Sequence, residues 1–263
     1  MIKNILESKS ALVLLLLFFL FYSCQSNEES SKSKIKKSLD IFQQLNAYED
    51  SILSSGQIAT SLKYEKENGS TYQVSAHLNP NNEILMLEEK ISENNNQFLQ
   101  ANYFYIQKGA LYASKELTQH NKDSLNEEKY TERIVFYDKE KVSKAYEKTS
   151  SKESTISQLD YTQINSKGLS FEKAKHCLNQ EGEFITTFQG FVFHNNMVYI
   201  VVGGLGDDSY SSALRVNNKD DLVLFLMKDQ KKYLNRKLKI IFENIDEQNG
   251  YSYQSYIQGT FSD

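Results

Sequence analysis

The sequence predicts an α+β protein that is mostly antiparallel β-sheet. Its 263 residues include 17 tyrosines and 15 phenylalanines but only one proline, a composition that favours long regular strands. Many segments alternate between apolar and polar residues and are separated by short turn signals, which is typical of half-buried strands. Two other stretches repeat apolar residues at three- and four-residue steps, and these predict amphipathic helices.

The first domain is predicted at residues 34–148, as one helix followed by a β-meander. Apolar residues recur at helical spacing over 34–54, and Gly56 is a suitable helix end. Asn68-Gly69 and Lys108-Gly109 are hairpin signals, because both dipeptides accept the positive φ angles of tight turns. The strands of this meander are predicted at 57–66, 72–78, 84–91, 98–107, 110–117, 130–137 and 141–148.

The second domain is predicted at residues 169–263, after a weakly periodic linker at 149–168. A short helix at 171–179 is predicted first. Three strands follow, then a helix capped by Asn218, then two closing strands. This order and length resemble the OB-fold, a five-stranded Greek-key barrel. The resemblance implies a closed barrel with one helix, whose ligand lies against the second and third strands. The five strands are predicted at 184–193, 197–203, 210–216, 238–244 and 252–261.

The N-terminus has the features of an exported lipoprotein. Residues 1–23 combine a positively charged start with an apolar run over 12–21, which is shorter than the roughly 20 residues of a membrane-spanning helix. Ser23-Cys24 resembles the lipobox of bacterial lipoproteins, and Glu28-Glu29 resembles the export tag of Bacteroidetes-type surface lipoproteins. We therefore interpret 1–23 as a lipoprotein signal peptide.

This resemblance implies that Cys24 is the lipidation site and becomes the N-terminus of the mature chain. Acyl chains such as palmitate would then attach the protein to the outer membrane, facing the periplasm or the cell surface. Residues 24–33 are polar and Ser-rich, so they are predicted to form a flexible tether. The alternative is an uncleaved membrane anchor in which Cys24 has no role.

Charge and motif content argue against several classes of function. The formal net charge of −4 disfavours nucleic-acid binding. The histidines and cysteines lack zinc-site spacing, and the glycine-rich stretch 203–206 precedes a strand, not the helix that a phosphate site needs. Cys177 is interpreted as a buried structural thiol. We therefore expect a protein that is not an enzyme and that uses neither a cofactor nor a metal.

Four residues are the candidate ligand contacts: Tyr199, Tyr210, Arg215 and Tyr253. They lie on or beside the strands that an OB-fold uses for binding, and tyrosine combines a flat apolar ring with a polar end. The alternative is that the tyrosines belong to the core. The leading hypothesis is an envelope protein that binds a protein or glycan partner. The second hypothesis is a structural or assembly scaffold of the envelope, with the barrel as a docking module.

Overall fold

The computed structural model describes residues 41–54, 56–93, 98–120, 128–206, 208–248 and 250–262. The predicted signal peptide, Cys24 and the predicted tether lie outside these residues. The chain divides into two compact units, Met1–Ser51 and Ile52–Asp263. Residues 41–53 form helix α1, in agreement with the described part of the helix predicted at 34–54.

The first part of the second unit is built mainly of strands. Each strand from the third to the eighth pairs antiparallel with the next, which makes the predicted meander. Lys108 and Gly109 have φ angles of 52° and 77°, as the hairpin signal requires. The elements are β1 (Gln57–Thr60), β2 (Tyr64–Glu65), β3 (Thr71–Leu78), β4 (Ile84–Glu93), β5 (Phe98–Gln107), β6 (Ala110–His120), β7 (Lys129–Asp138), β8 (Lys141–Ser150), α2 (Glu153–Ile156) and β9 (Thr162–Ile164).

The remaining elements follow the predicted order of three strands, a helix and two strands. The predicted helix begins after Asp220, whose side chain accepts a hydrogen bond from the backbone N–H of Val223, so Asp220 and not Asn218 is the cap. The elements are α3 (Glu172–Asn179), a 3₁₀ turn (Gly182–Phe184), β10 (Thr187–His194), β11 (Met197–Gly203), β12 (Ser211–Val216), α4 (Asp221–Lys228), α5 (Gln230–Tyr233), β13 (Leu238–Asp246) and β14 (Ser252–Phe261).

The predicted five-stranded barrel is wrong, because these strands belong to one open sheet of 14 strands. Its main path runs β10-β11-β12-β2-β3-β4-β5-β6-β7-β8-β9. The edge of β12 is shared: Ser211 pairs with Glu65 of β2, whereas Arg215 pairs in parallel with Ser255 of β14. β2 therefore pairs with part of the β12 edge that a separate barrel would use for its own closing strand. The sheet divides at β12 into one branch that continues through β2 and another that continues through β14, and we call this division the fork.

One continuous hydrophobic core lies against one face of this sheet, which we call the core face. It contains Tyr64 and Tyr72 from β2 and β3 together with Phe184 and Tyr210 from the C-terminal part. The ring of Phe184 stacks on Tyr72 at a centroid distance of 4.7 Å and on Tyr210 at 5.1 Å. The core therefore contains residues from before and from after the 149–168 segment. The division into two domains at that segment stays a prediction.

Cys177 lies in this core and is completely buried. Burial disfavours the thiolate and raises the pKa of Cys177 to about 12. We therefore expect Cys177 not to react with a thiol reagent at pH 8 in the native protein and to react fully after unfolding in denaturant. Absorbance of released thionitrobenzoate measures this, and Cys177→Ala is the control. Labelling that the native wild type shows and native Cys177→Ala lacks would contradict the buried placement, because this comparison removes the signal of Cys24.

Candidate functional site

The fork at β12 opens a polar cavity of about 890 Å³, which we call the polar basin. It lies on the face of the sheet opposite the core face, because Gln73 lines it and the neighbouring Tyr72 points into the core. Strands β2, β3, β11 and β12 form one side, and the β13–β14 hairpin forms the other. The residues that line it include Lys63, Gln73, Tyr199, Tyr251, Tyr253 and Gln254.

Side-chain amides hold the two sides of the fork together where backbone pairing stops. The backbone N–H of Lys63 donates to Oε1 of Gln254 at 2.7 Å, and Nε2 of Gln254 donates to the carbonyl of Ser61 at 3.1 Å. Nδ2 of Asn244 donates to Oγ1 of Thr60 at 2.7 Å. A bridge through an amide side chain spans a greater distance than a direct backbone hydrogen bond between two strands. The two sides of the fork are therefore held apart, and the basin lies between them.

Two tyrosines of the β13–β14 hairpin form an aromatic wall of the basin. The rings of Tyr251 and Tyr253 are 5.9 Å apart at an interplanar angle of 28°. Gly250 has a φ of 82° and donates its N–H to the carbonyl of Glu247, which closes the turn directly before Tyr251. Tyr251 is 52% exposed, so part of this aromatic wall faces solvent.

The charges around the basin are mixed. The guanidinium of Arg215 lies 4.8 Å from the ring centroid of Tyr253, and its NH1 is 3.7 Å from Oε1 of Glu247. Lys63 and Lys66 line the basin together with three carboxylates. Those carboxylates belong to Glu65, Glu67 and Asp246. The site therefore offers both donors and acceptors without a field of one sign.

The structure brings together three of the four candidate residues. Tyr199 and Tyr253 line the basin, and Arg215 pairs with Tyr199 across β11 and β12 while contacting Tyr253. Tyr210 lies elsewhere: it is 7% exposed in the aromatic core, and burial raises its pKa to about 12. For Tyr210, the interpretation as a core residue matches its position.

Several lining residues come from the N-terminal strands and were not among the sequence candidates. Lys63 and Gln73 lie on or next to β2 and β3, far from β14 in the chain. The candidate list also omitted Tyr251 and Gln254. The alternation of Tyr251 with Tyr253 places both rings on one face of the hairpin and is the signal that could have identified Tyr251.

A second cavity, of about 500 Å³, lies on the same face and is mainly apolar; we call it the apolar basin. Its floor is formed by β5 and β6, and α2 contributes to its wall. The side chains that give it its character are Leu99, Ala101, Leu117, Tyr130 and Ile156.

Neither a metal cluster nor a membrane-spanning helix occurs in the described residues. Within those ranges, no group of three or more histidine, cysteine, aspartate or glutamate side chains could hold a metal ion. No described helix has the length and apolar character needed to cross a bilayer. No protein family, curated protein or solved structure matches this chain.

Proposed function

We propose that this protein is a lipid-anchored, non-catalytic envelope protein that binds a glycan in the polar basin. The observation that carries the proposal is the pair of stacked rings of Tyr251 and Tyr253 in a cavity whose other lining residues are mostly polar. Sugar rings have apolar faces that suit aromatic surfaces and hydroxyls that both donate and accept hydrogen bonds.

The balance of charge supports a neutral ligand. Lys63 and Lys66 are offset by nearby carboxylates, and Arg215 is already engaged with Tyr253 and Glu247. A phosphate backbone in this basin would face Glu65 and Asp246, so the arrangement argues against nucleic acid as a partner. A peptide remains the alternative ligand of the binding hypothesis, and it would use the tyrosine rings in the same way.

The lipid anchor is the second part of the proposal. Acylation of Cys24 would fix the protein to the outer membrane, since each buried methylene of an acyl chain contributes about 0.8 kcal/mol. The Ser-rich residues 24–33 would hold the folded part away from the lipid surface. A glycan ligand suits that location, because envelope surfaces present oligosaccharides to proteins outside the cytoplasm.

An oligosaccharide array tests the glycan proposal. We expect the mature chain, residues 24–263, to bind a limited set of printed sugars, and Tyr253→Ala to weaken that binding about tenfold through the lost stacking surface. Phe193→Ala is the matched control, because Phe193 is an exposed aromatic residue (64%) that does not line the basin. A protein that binds no sugar, or that binds equally well with Tyr253→Ala, would overturn the proposal and favour the scaffold hypothesis.

A further inference from the structure

We propose that the ligand is a glycolipid, with its sugar in the polar basin and its hydrocarbon chain in the apolar basin. This inference rests on the proposed function, because the sugar end is the glycan already assigned to the polar basin. It adds a second binding site and a chemical class for the whole ligand. Three features of the second unit support it: the two basins adjoin, the second has an apolar floor, and two of its charged side chains, Lys115 and Glu132, already contact other side chains.

The two basins meet at one pair of neighbouring strands. Thr71 lines the apolar basin and Gln73 lines the polar basin, and they lie two residues apart on β3, so they share one face of the sheet. Across the β3–β4 pairing, Thr71 is opposite Ser92 and Gln73 is opposite Lys90, and both partners line the apolar basin. Thr71 also pairs with Glu65 of β2, which lines the polar basin. The two basins therefore adjoin along β3, and one ligand can span the boundary.

The floor of the apolar basin presents hydrocarbon to a ligand. Ala101 pairs with Leu117 across β5 and β6, and Leu99 precedes Ala101 on the same face. These three side chains and Ile156 are half-buried, unlike the fully buried residues of the core face. A contiguous, partly solvated apolar surface of this kind is typical of a ligand groove.

Two charged residues beside this floor, Lys115 and Glu132, contact other side chains of the protein. The ammonium of Lys115 lies 4.9 Å from the ring centroid of Tyr103. Glu132 forms an ion pair with Lys148 at 2.9 Å. Because these charges are already paired with neighbouring side chains, the centre of the basin is left to the apolar residues. An alkyl chain matches that surface, whereas a charged or strongly polar ligand does not.

Alkyl maltosides of increasing chain length test the inference with the mature chain. We expect octyl, decyl and dodecyl maltoside, each below its micelle-forming concentration, to bind with affinity that rises about fourfold per methylene. Ala101→Phe should abolish this dependence by filling the basin, and Leu117→Gln should reduce it by making the floor polar. Isothermal titration measures each affinity, and circular dichroism verifies that both variants are folded.

The outcomes separate this inference from the proposed function. The glycolipid inference is overturned if affinity does not depend on chain length, or if the dependence persists in both Ala101→Phe and Leu117→Gln. Neither result bears on oligosaccharide binding, which the array tests separately. A different result would overturn only the sugar site. In that case Ala101→Phe removes the chain-length dependence, which supports the apolar basin as a site, but Tyr253→Ala leaves sugar binding unchanged, which overturns the polar basin as the sugar site.

Discussion

Replacing Phe184 by alanine is expected to lower the free energy of unfolding by about 3–5 kcal/mol, the range for a fully buried phenylalanine. Phe184 has no exposed surface and packs against the rings of both Tyr72 and Tyr210. Its ring also contacts Tyr64 at a centroid distance of 5.1 Å. The cavity would thus open where the N-terminal strands meet the C-terminal part, and the surrounding rings are too large to collapse into it. Urea denaturation followed by circular dichroism measures the effect.

The exposed aromatic Phe193 provides the control for this prediction. Phe193→Ala removes a ring of the same size from the surface strand position, so its effect on unfolding should stay within about 0.5 kcal/mol. If Phe184→Ala were as mild as Phe193→Ala, the aromatic cluster would not hold the two parts of the core together. The continuous core described above would then be contradicted.

Cys24→Ser is expected to eliminate lipid attachment completely. Acylation needs the thiol, and serine preserves the size and polarity of the side chain without it. Cells that express the wild type should incorporate an alkyne-labelled fatty acid into the protein and retain it in the membrane fraction, whereas the variant should incorporate none. The mature protein should be released, or the unprocessed precursor should accumulate.

The other cysteine gives the matched control for the lipid experiment. Cys177→Ser leaves the predicted lipobox intact, so its labelling should equal that of the wild type. If Cys24→Ser still yields a mature, labelled protein, the lipoprotein interpretation is wrong. If neither the wild type nor Cys24→Ser is labelled, and both remain with the membrane at precursor size, the uncleaved membrane anchor is the better interpretation.

Local signals in the sequence predicted most of the strands. β11 and β14 have the predicted bounds, and the hairpin at Lys108-Gly109 follows from turn chemistry that involves only adjacent residues. The fork at β12 could not be predicted, because it depends on the pairing of Ser211 with Glu65, which are distant in the chain. The segment 57–66 looked like one strand, and no periodicity indicated that it divides into β1 and β2.

The same long-range pairing limited the prediction of the site. Tyr199, Arg215 and Tyr253 could be proposed from their positions on the C-terminal strands, but Lys63 and Gln73 come from strands assigned to another domain. Tyr210 was proposed for the site although it packs inward. Alternation along 210–216 places Tyr210 on the face of Leu214 and Val216, opposite Arg215, so the sequence pattern could have assigned Tyr210 to the core.

The affinity of the mature chain for the best sugar of the array is the most direct test of the central claim, that the polar basin binds a glycan. Isothermal titration should give one site per chain, an affinity about tenfold weaker for both Tyr251→Ala and Tyr253→Ala, and an unchanged affinity for Phe193→Ala. Equal affinities for the wild type and all three variants would contradict the assignment of the basin as the binding site.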